Sequence, residues 1–335
     1  MDISNENNET THVGGLVGGS WDGGSISQCM YFGSIDLHDT GDSIGGIVGY
    51  TNTTSISYCA NHGSVKTDYN AGYVGGILGY INNTGGSVRN CYNYGEVQNG
   101  GGDHCGAIIG WLKSHSAAKI TDNYYLDTSA TSAFGSGSNG TTAAAPAKTA
   151  AEFKSGEVCY LVNSKTSTGD KAIWKQDIDN GNTPYDTYPL FEAAAVYFRS
   201  DGTYSNDPER ISITISWGAM EFDYHAGRWD PDTHKYSGGW SPTAADGNDL
   251  SVQNNSNVAL EASFTFTADA AFTPYSLTGA FNGVADGANR MERGATLSTE
   301  LSVKSLKPAS LETAGGKQKI GTITVRLTTV GGGGD

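Results

Sequence analysis

Three aromatic residues hold one position in a repeated phrase. Val13 opens VGGLVG, Ile44 opens IGGIVG, Val74 opens VGGILG, and Cys105 opens a worn copy, CGAIIG. The residue that follows each phrase is Gly19, Tyr50, Tyr80 and Trp111 in turn. If successive units stack, the three rings form a ladder on one face. Two outcomes are open for it. An exposed ladder would offer aromatic faces to sugar rings, since aromatic rings bury apolar area yet tolerate polar rims. A covered ladder would serve packing alone, the more frequent use of such rings.

A second constellation is acidic. The loop after the third β-prone piece of each unit carries Asp39 and Asp42, then Asp68, then Asp103. Carboxylate oxygens gathered on one edge of the array could hold a structural Ca²⁺. These acids are out of strict register, and Asp is also common in turns of this kind. Asp230, Asp232 and His234 follow Trp229 and offer three metal ligands on paper, but Asp-Pro-Asp-Thr between two β-prone runs reads as a hairpin turn. The chain has no H-E-x-x-H and no phosphate-cradling P-loop. No other cofactor is expected.

The elements that position these residues follow from the repeat. The phrases recur with a period of about 31 residues, the mark of stacked units none of which can bury its apolar face alone. A second phrase keeps step, with Cys29, Cys59 and Cys91 at one position and Asn123 in the last unit. Each unit holds three short β-prone pieces, as in GGIVGY, SISYC and GSVKT, which predicts about four coils of a parallel β-solenoid over residues 12–127. Stacked at about 4.8 Å, the cysteines are too far apart for disulfides and form an inward ladder of free thiols. Asn61 and Asn93 are expected at left-handed turn positions. Leu16, Ile47, Ile77 and Ile108 are apolar, and so are Val17, Val48, Leu78 and Ile109 beside them. A strand turns neighbours to opposite faces, so one row should fill the interior and the other lie beneath a cover.

Residues 128–205 are the expected cover. Ser129 to Lys148 reads as an Ala/Ser/Gly/Thr-rich loop, and Thr149 with Glu152 forms a capping box that opens a helix through Phe153, Val158, Leu161 and Val162. Thr149 to Phe191, with Trp174, Tyr188 and Leu190, is the expected small α/β cap that protects the strand edges at the end of the array. Residues 208–330 alternate apolar and polar in seven or eight runs, which predicts an antiparallel β-sandwich of immunoglobulin-like size. The fold class is therefore all-β.

Composition bounds the function. Twenty basic against 35 acidic residues give a net charge of −15, which argues against nucleic acid and anionic membranes and favours solubility. No apolar run is long enough to span a bilayer. Met1 leads into no signal-peptide pattern, and the chain opens almost inside a repeat, so a piece of a longer protein is expected.

GGLVG, GGIVG and GGILG, each followed by a phrase like Asn90 to Gly95 (NCYNYG), resemble the GLUG repeat of bacterial surface proteins. Lys148 to Asn163, then Trp174, Gln176 and Tyr188-Pro189, resembles the segment that often closes such arrays. The resemblance covers roughly residues 12–191. It implies a secreted or wall-attached, adhesin-like protein at the bacterial cell surface. The leading expectation is a non-enzymatic adhesion and spacer module whose partner is a host or bacterial surface glycan or protein. The alternatives are a carbohydrate-binding protein using the aromatic ladder or the sandwich loops, and a polysaccharide-processing solenoid enzyme.

Overall fold

The computed structural model describes residues 11–38, 41–69, 71–82, 85–113, 119–136, 145–165, 171–178, 186–225, 227–236, 238–305 and 316–330. The chain divides into two compact units, residues 1–198 with 204–207, and residues 199–203 with 208–335.

The first unit is a parallel β-solenoid of about three turns. The phrase expected to form one strand forms two. Ser43–Gly45 joins His12–Gly14, Tyr73–Gly75 and Cys105–Gly106 in one sheet, while Val48–Thr51 joins Val17–Ser20, Leu78–Ile81 and Ile109–Leu112 in another. The cysteine phrase builds a third sheet around Ser55–Asn61, and Ile35–Leu37, Val65–Thr67 and Val97–Gln98 a fourth. Pairing is parallel and keeps the repeat register, as in Ile44 beside Val13 and Val74.

The break inside the phrase resolves the doubled apolar row. The amides of Ile47 and Val48 both donate to the Ile77 carbonyl, and those of Ile77 and Leu78 both donate to the Ile108 carbonyl. The chain bends at residues 46–47 between the two strands, and alike in the next turns, with Val48 still opposite Leu78; the bend shifts the side-chain alternation by one. Both rows then face the same core. Ile47, Val48, Ile77, Leu78, Ile108 and Ile109 are all 0% exposed and share one cluster, so neither row needs a separate cover. The two sheets touch backbone to backbone. A Cβ on Gly45 would lie 2.0 Å from the Val48 carbonyl oxygen, and one on Gly79 2.6 Å from the Ile44 nitrogen. Only glycine permits that approach.

A corner of each turn lies just before the cysteine position. Gln28, Tyr58, Asn90 and Asp122 adopt left-handed backbone, with φ of 54°, 51°, 56° and 55°. This corrects the expected placing of that conformation at Asn61 and Asn93. Those two turn inward instead: each amide nitrogen donates to the carbonyl two residues on, Gly63 and Gly95, at 2.8 Å. The left-handed residue restores inward direction, so that Ile56 and Cys59, three apart, are both fully buried. Cys29 stands in register with Cys59, and the Cys59 amide donates to Sγ of Cys91. All five cysteines are free.

Residues beyond the repeats cover a different row from the one expected. Ser129 to Ser136 is no free loop. The amides of Ala107 and Ile108 donate to the Ser132 and Ala133 carbonyls, and Ala147–Lys148 pairs in parallel with Tyr124–Leu126. The capping box is present: Thr149 Oγ1 accepts from the Glu152 amide, and Glu152 accepts from the Thr149 amide. The single expected helix is broken in two, α1 (Ala150–Lys154) and α2 (Glu157–Val162), by Gly156 at φ 88°. Phe153, Val158, Cys159, Val162 and Trp174 pack on the row Ala60, Tyr92 and Tyr124. Trp174 Nε1 donates to the Asn90 carbonyl, and Asn90 Nδ2 donates to the Val162 carbonyl. The left-handed corner thus anchors the helices.

The second unit is built of antiparallel sheets. Ile213–Trp217, Asp249–Asn254, Thr296–Ser305 and Leu277–Asn282 form one sheet in the order first, second, third, fourth. Leu260–Ala268 lies between Asn289–Met291 and Gly321–Thr329 in another. Residues of both sheets mix in two buried clusters, one around Val252, Ala262 and Met291, the other around Phe272, Leu301 and Val303.

Candidate functional site

Register places Tyr50, Tyr80 and Trp111 side by side on adjacent strands, with Gly19 in the same row. A second column, one residue ahead of each phrase, runs beside them. It contains His12, Ser43 and Tyr73 in register, continued by His104. The two columns interleave. His12 stacks on Tyr50 with centroids 4.4 Å apart and planes 12° from parallel, and Tyr73 stacks on Trp111 at 5.1 Å and 12°. Tyr80 lies 4.7 Å from Tyr73, 5.5 Å from Tyr50 and 5.1 Å from Trp111. Trp21 folds over Gly19, whose missing side chain leaves room for the indole, and remains 54% exposed. Tyr50, by contrast, is only 9% exposed.

Amides line one side of this strip. The Tyr50 and Tyr80 hydroxyls donate to Asn52 and Asn82 Oδ1, each at 2.7 Å. Asn82 Nδ2 donates to Asn52 Oδ1 at 3.2 Å, and Lys113 Nζ donates to Asn82 Oδ1 at 3.0 Å. Burial, reinforced by Tyr73, Tyr50 and Asp42, pushes the Tyr80 hydroxyl up to about 12. Burial lowers the His12 imidazole, with Asp42 opposing it. Both shifts favour the uncharged ring at Tyr80 and His12, while Asp42 and Lys113 border the strip. Trp111 Nε1 is buried with no partner among the described residues.

The repeat columns account for Tyr50, Tyr80 and Trp111 as predicted neighbours. His12, Tyr73, His104 and Trp21 were missed. Aligning the residue before each phrase would have exposed the first three; Trp21 has no repeat signal.

The acidic positions are not drawn together. Asp39 lies outside the described residues. Asp68 Oδ2 pairs with His38 Nδ1 at 2.8 Å, both exposed. Asp42 sits beside the aromatic strip, and Asp103 is exposed. Among the described residues no three His, Cys, Asp or Glu side chains gather as metal ligands. Asp230 is spent on its own turn, accepting from the Asp232 amide and the Thr233 hydroxyl between the short strands Trp229–Asp230 and Lys235–Tyr236.

A smaller cluster centres on His62, packed against Phe32, Tyr94, Tyr92 and Tyr188. Its Nε2 lies 2.9 Å from the Tyr92 hydroxyl, and burial lowers the imidazole to about 4. The Tyr92 hydroxyl in turn donates to the Pro189 carbonyl. Among the described residues, no helix is long and apolar enough to cross a membrane.

Compared with known proteins, the chain matches no family model, no curated protein and no solved structure.

Proposed function

We propose that this protein is a non-enzymatic adhesion and spacer module, a solenoid that presents a binding surface at the outside of a bacterial cell. The aromatic strip carries the proposal. It runs across successive turns and keeps a row of rings and amides in fixed order, the form a repeated scaffold gives to an extended contact surface. The glycine contacts between sheets support rigidity, because they leave no side-chain layer to slide. The GLUG-like phrases support the surface location. In the same proposal the array counts four coils, residues 128–205 supply the loop, capping helix and C-terminal cap, and residues 208–330 form an immunoglobulin-like sandwich.

The second reading, carbohydrate binding, is favoured by one observation. The exposed Trp21 indole lies beside a row of stacked rings with the Asn52 and Asn82 amides at its margin, the combination of apolar face and hydrogen-bonding groups that suits a sugar ring. Tyr50 contributes little face, because His12 covers it. Screening the protein and its Trp21→Ala variant on immobilised glycans and on cell-surface protein extracts tests both readings. Glycan binding lost in the variant supports the second. Protein capture lost in the variant supports the first, and unchanged binding in both screens removes the strip from the function.

A further inference from the structure

We infer that the second unit pairs with a second copy of this chain through the free edge of strand Ile213–Trp217. That strand bonds only to Asp249–Asn254 and forms the outer edge of its sheet among the described residues. Register sets Ile213, Ile215 and Trp217 opposite Asn254, Val252 and Leu250, all three buried, so the apolar row lies on the core side of the sheet. Yet Ile213 is 37% and Trp217 67% exposed, and Ile211, at the same alternation, is 53% exposed. The facing sheet covers Ile215, which packs with Val252, Ala262 and Met291, and leaves Ile211, Ile213 and Trp217 exposed.

Natural edge strands are blunted by lysine, proline, bulges or inward charges, because their unpaired amides and carbonyls template another strand. Ile211 to Trp217 (ISITISW) contains none of these: no charge, no proline, no glycine. It has the β-branched, uncharged composition of a pairing segment.

Two features select a copy of the same chain as the occupant. The first is symmetry. An antiparallel partner related by a two-fold axis at Thr214 sets Ile213 beside Ile215 of the second copy and Ile211 beside its Trp217. Every apolar side chain of the row meets an apolar one, on one face, and Thr214 meets Thr214. Such a self-complementary patch is what an isologous interface requires. The second is charge. Each chain carries −15, so two copies repel over most of their surfaces, and a wholly neutral edge lets them meet without juxtaposing like charges.

Sedimentation of the full chain at about 100 μM, well above the Kd of a weak specific interface, should give twice the chain mass. Added salt should raise the dimer fraction by screening the repulsion. Thr214→Cys should give a cross-linked dimer on mild oxidation above the background of the native thiols. Ser216→Cys, whose opposite number is Ser212, should not. Thr214→Lys, exposed and placing like charges across the axis, gives up only the exposed bond from Asn255 Nδ2 and should be monomeric, melting within a few degrees of the wild type at a dilution where both are monomers. A monomeric wild type overturns the inference. So does a Thr214→Lys protein that remains dimeric, or cross-linking through Ser216→Cys equal to that through Thr214→Cys.

Discussion

Asn61 Nδ2 donates to Asn93 Oδ1 at 2.8 Å, joining one turn of the solenoid to the next through two side chains that are both 0% exposed. Each amide also holds its own backbone, and a Cβ on Gly76 would fall 2.4 Å from the Asn93 side-chain carbon. The pair is a buried polar ladder with its donors satisfied, the case in which removal of one partner is costly. Asn93→Ala removes the acceptor for Asn61 and the donor to Gly95. It should destabilise by about 2 kcal/mol, read from urea unfolding. Asn93→Asp should cost more at neutral pH, because it places a carboxylate against the Gly95 carbonyl in a fully buried site.

The thiols should separate by depth. Cys59, Cys91 and Cys159 are buried, whereas Cys29 and Cys105 are partly exposed. Burial also pushes the Cys91 and Cys159 thiols up, which lowers their thiolate fraction. A thiol reagent should label Cys29 first and leave Cys59, Cys91 and Cys159 untouched until denaturant is added. Mass mapping of the labelled peptides checks this. Early labelling of Cys91 would contradict the inward row.

The period alone made the stacking direction and the residue partners legible: Val13, Ile44 and Val74 stand in register as their phrases do. The paired apolar rows were misread because their solution is a backbone event. The bend at which Ile47 and Val48 share one carbonyl flips the alternation, and residue type does not encode it. The left-handed corner was also hidden, because Gln28, Tyr58, Asn90 and Asp122 repeat no single residue type and Gln28 and Tyr58 carry no turn preference. Asn61 and Asn93 looked like turn formers when their amides were needed inside. Tyr50, Tyr80 and Trp111 were legible as a row, but the rings that close over them come from outside the phrase.

His62 should make stability depend on pH. Its imidazole falls from the ordinary 6.5 to about 4 on folding, so the unfolded chain binds the proton more tightly. A depressed folded value means the contribution is intact above about pH 6.5 and is lost as pH falls towards about 4. The full swing is on the order of 3 kcal/mol. His62→Phe keeps the stacking with Phe32 and Tyr94 and removes the titration. Melting temperatures measured between those limits should fall less steeply for the variant. Parallel curves for the two proteins would show that another group sets the acid limit.

Trp21 and Tyr50 should respond oppositely to truncation. The Tyr50 ring is packed between His12, Trp21 and Tyr80, and its hydroxyl donates to Asn52. At 9% exposure, Tyr50→Ala opens a cavity and should cost about 3 kcal/mol, a sharp drop in melting temperature. Trp21 is more than half exposed, its indole lying on Gly19 at the outer edge of the His12 and Tyr50 rings, so Trp21→Ala should cost only about 1 kcal/mol. An exposed ring adds little to folding but can supply much of the contact area of a bound ligand. Binding to whichever ligand the screen identifies should therefore fall at least tenfold in Trp21→Ala while the protein melts almost as the wild type. Thermal unfolding and titration run on the same two variants decide the matter. A large loss of stability in Trp21→Ala, or full binding retained, would make the whole strip a packing device and leave the ligand site elsewhere on the chain.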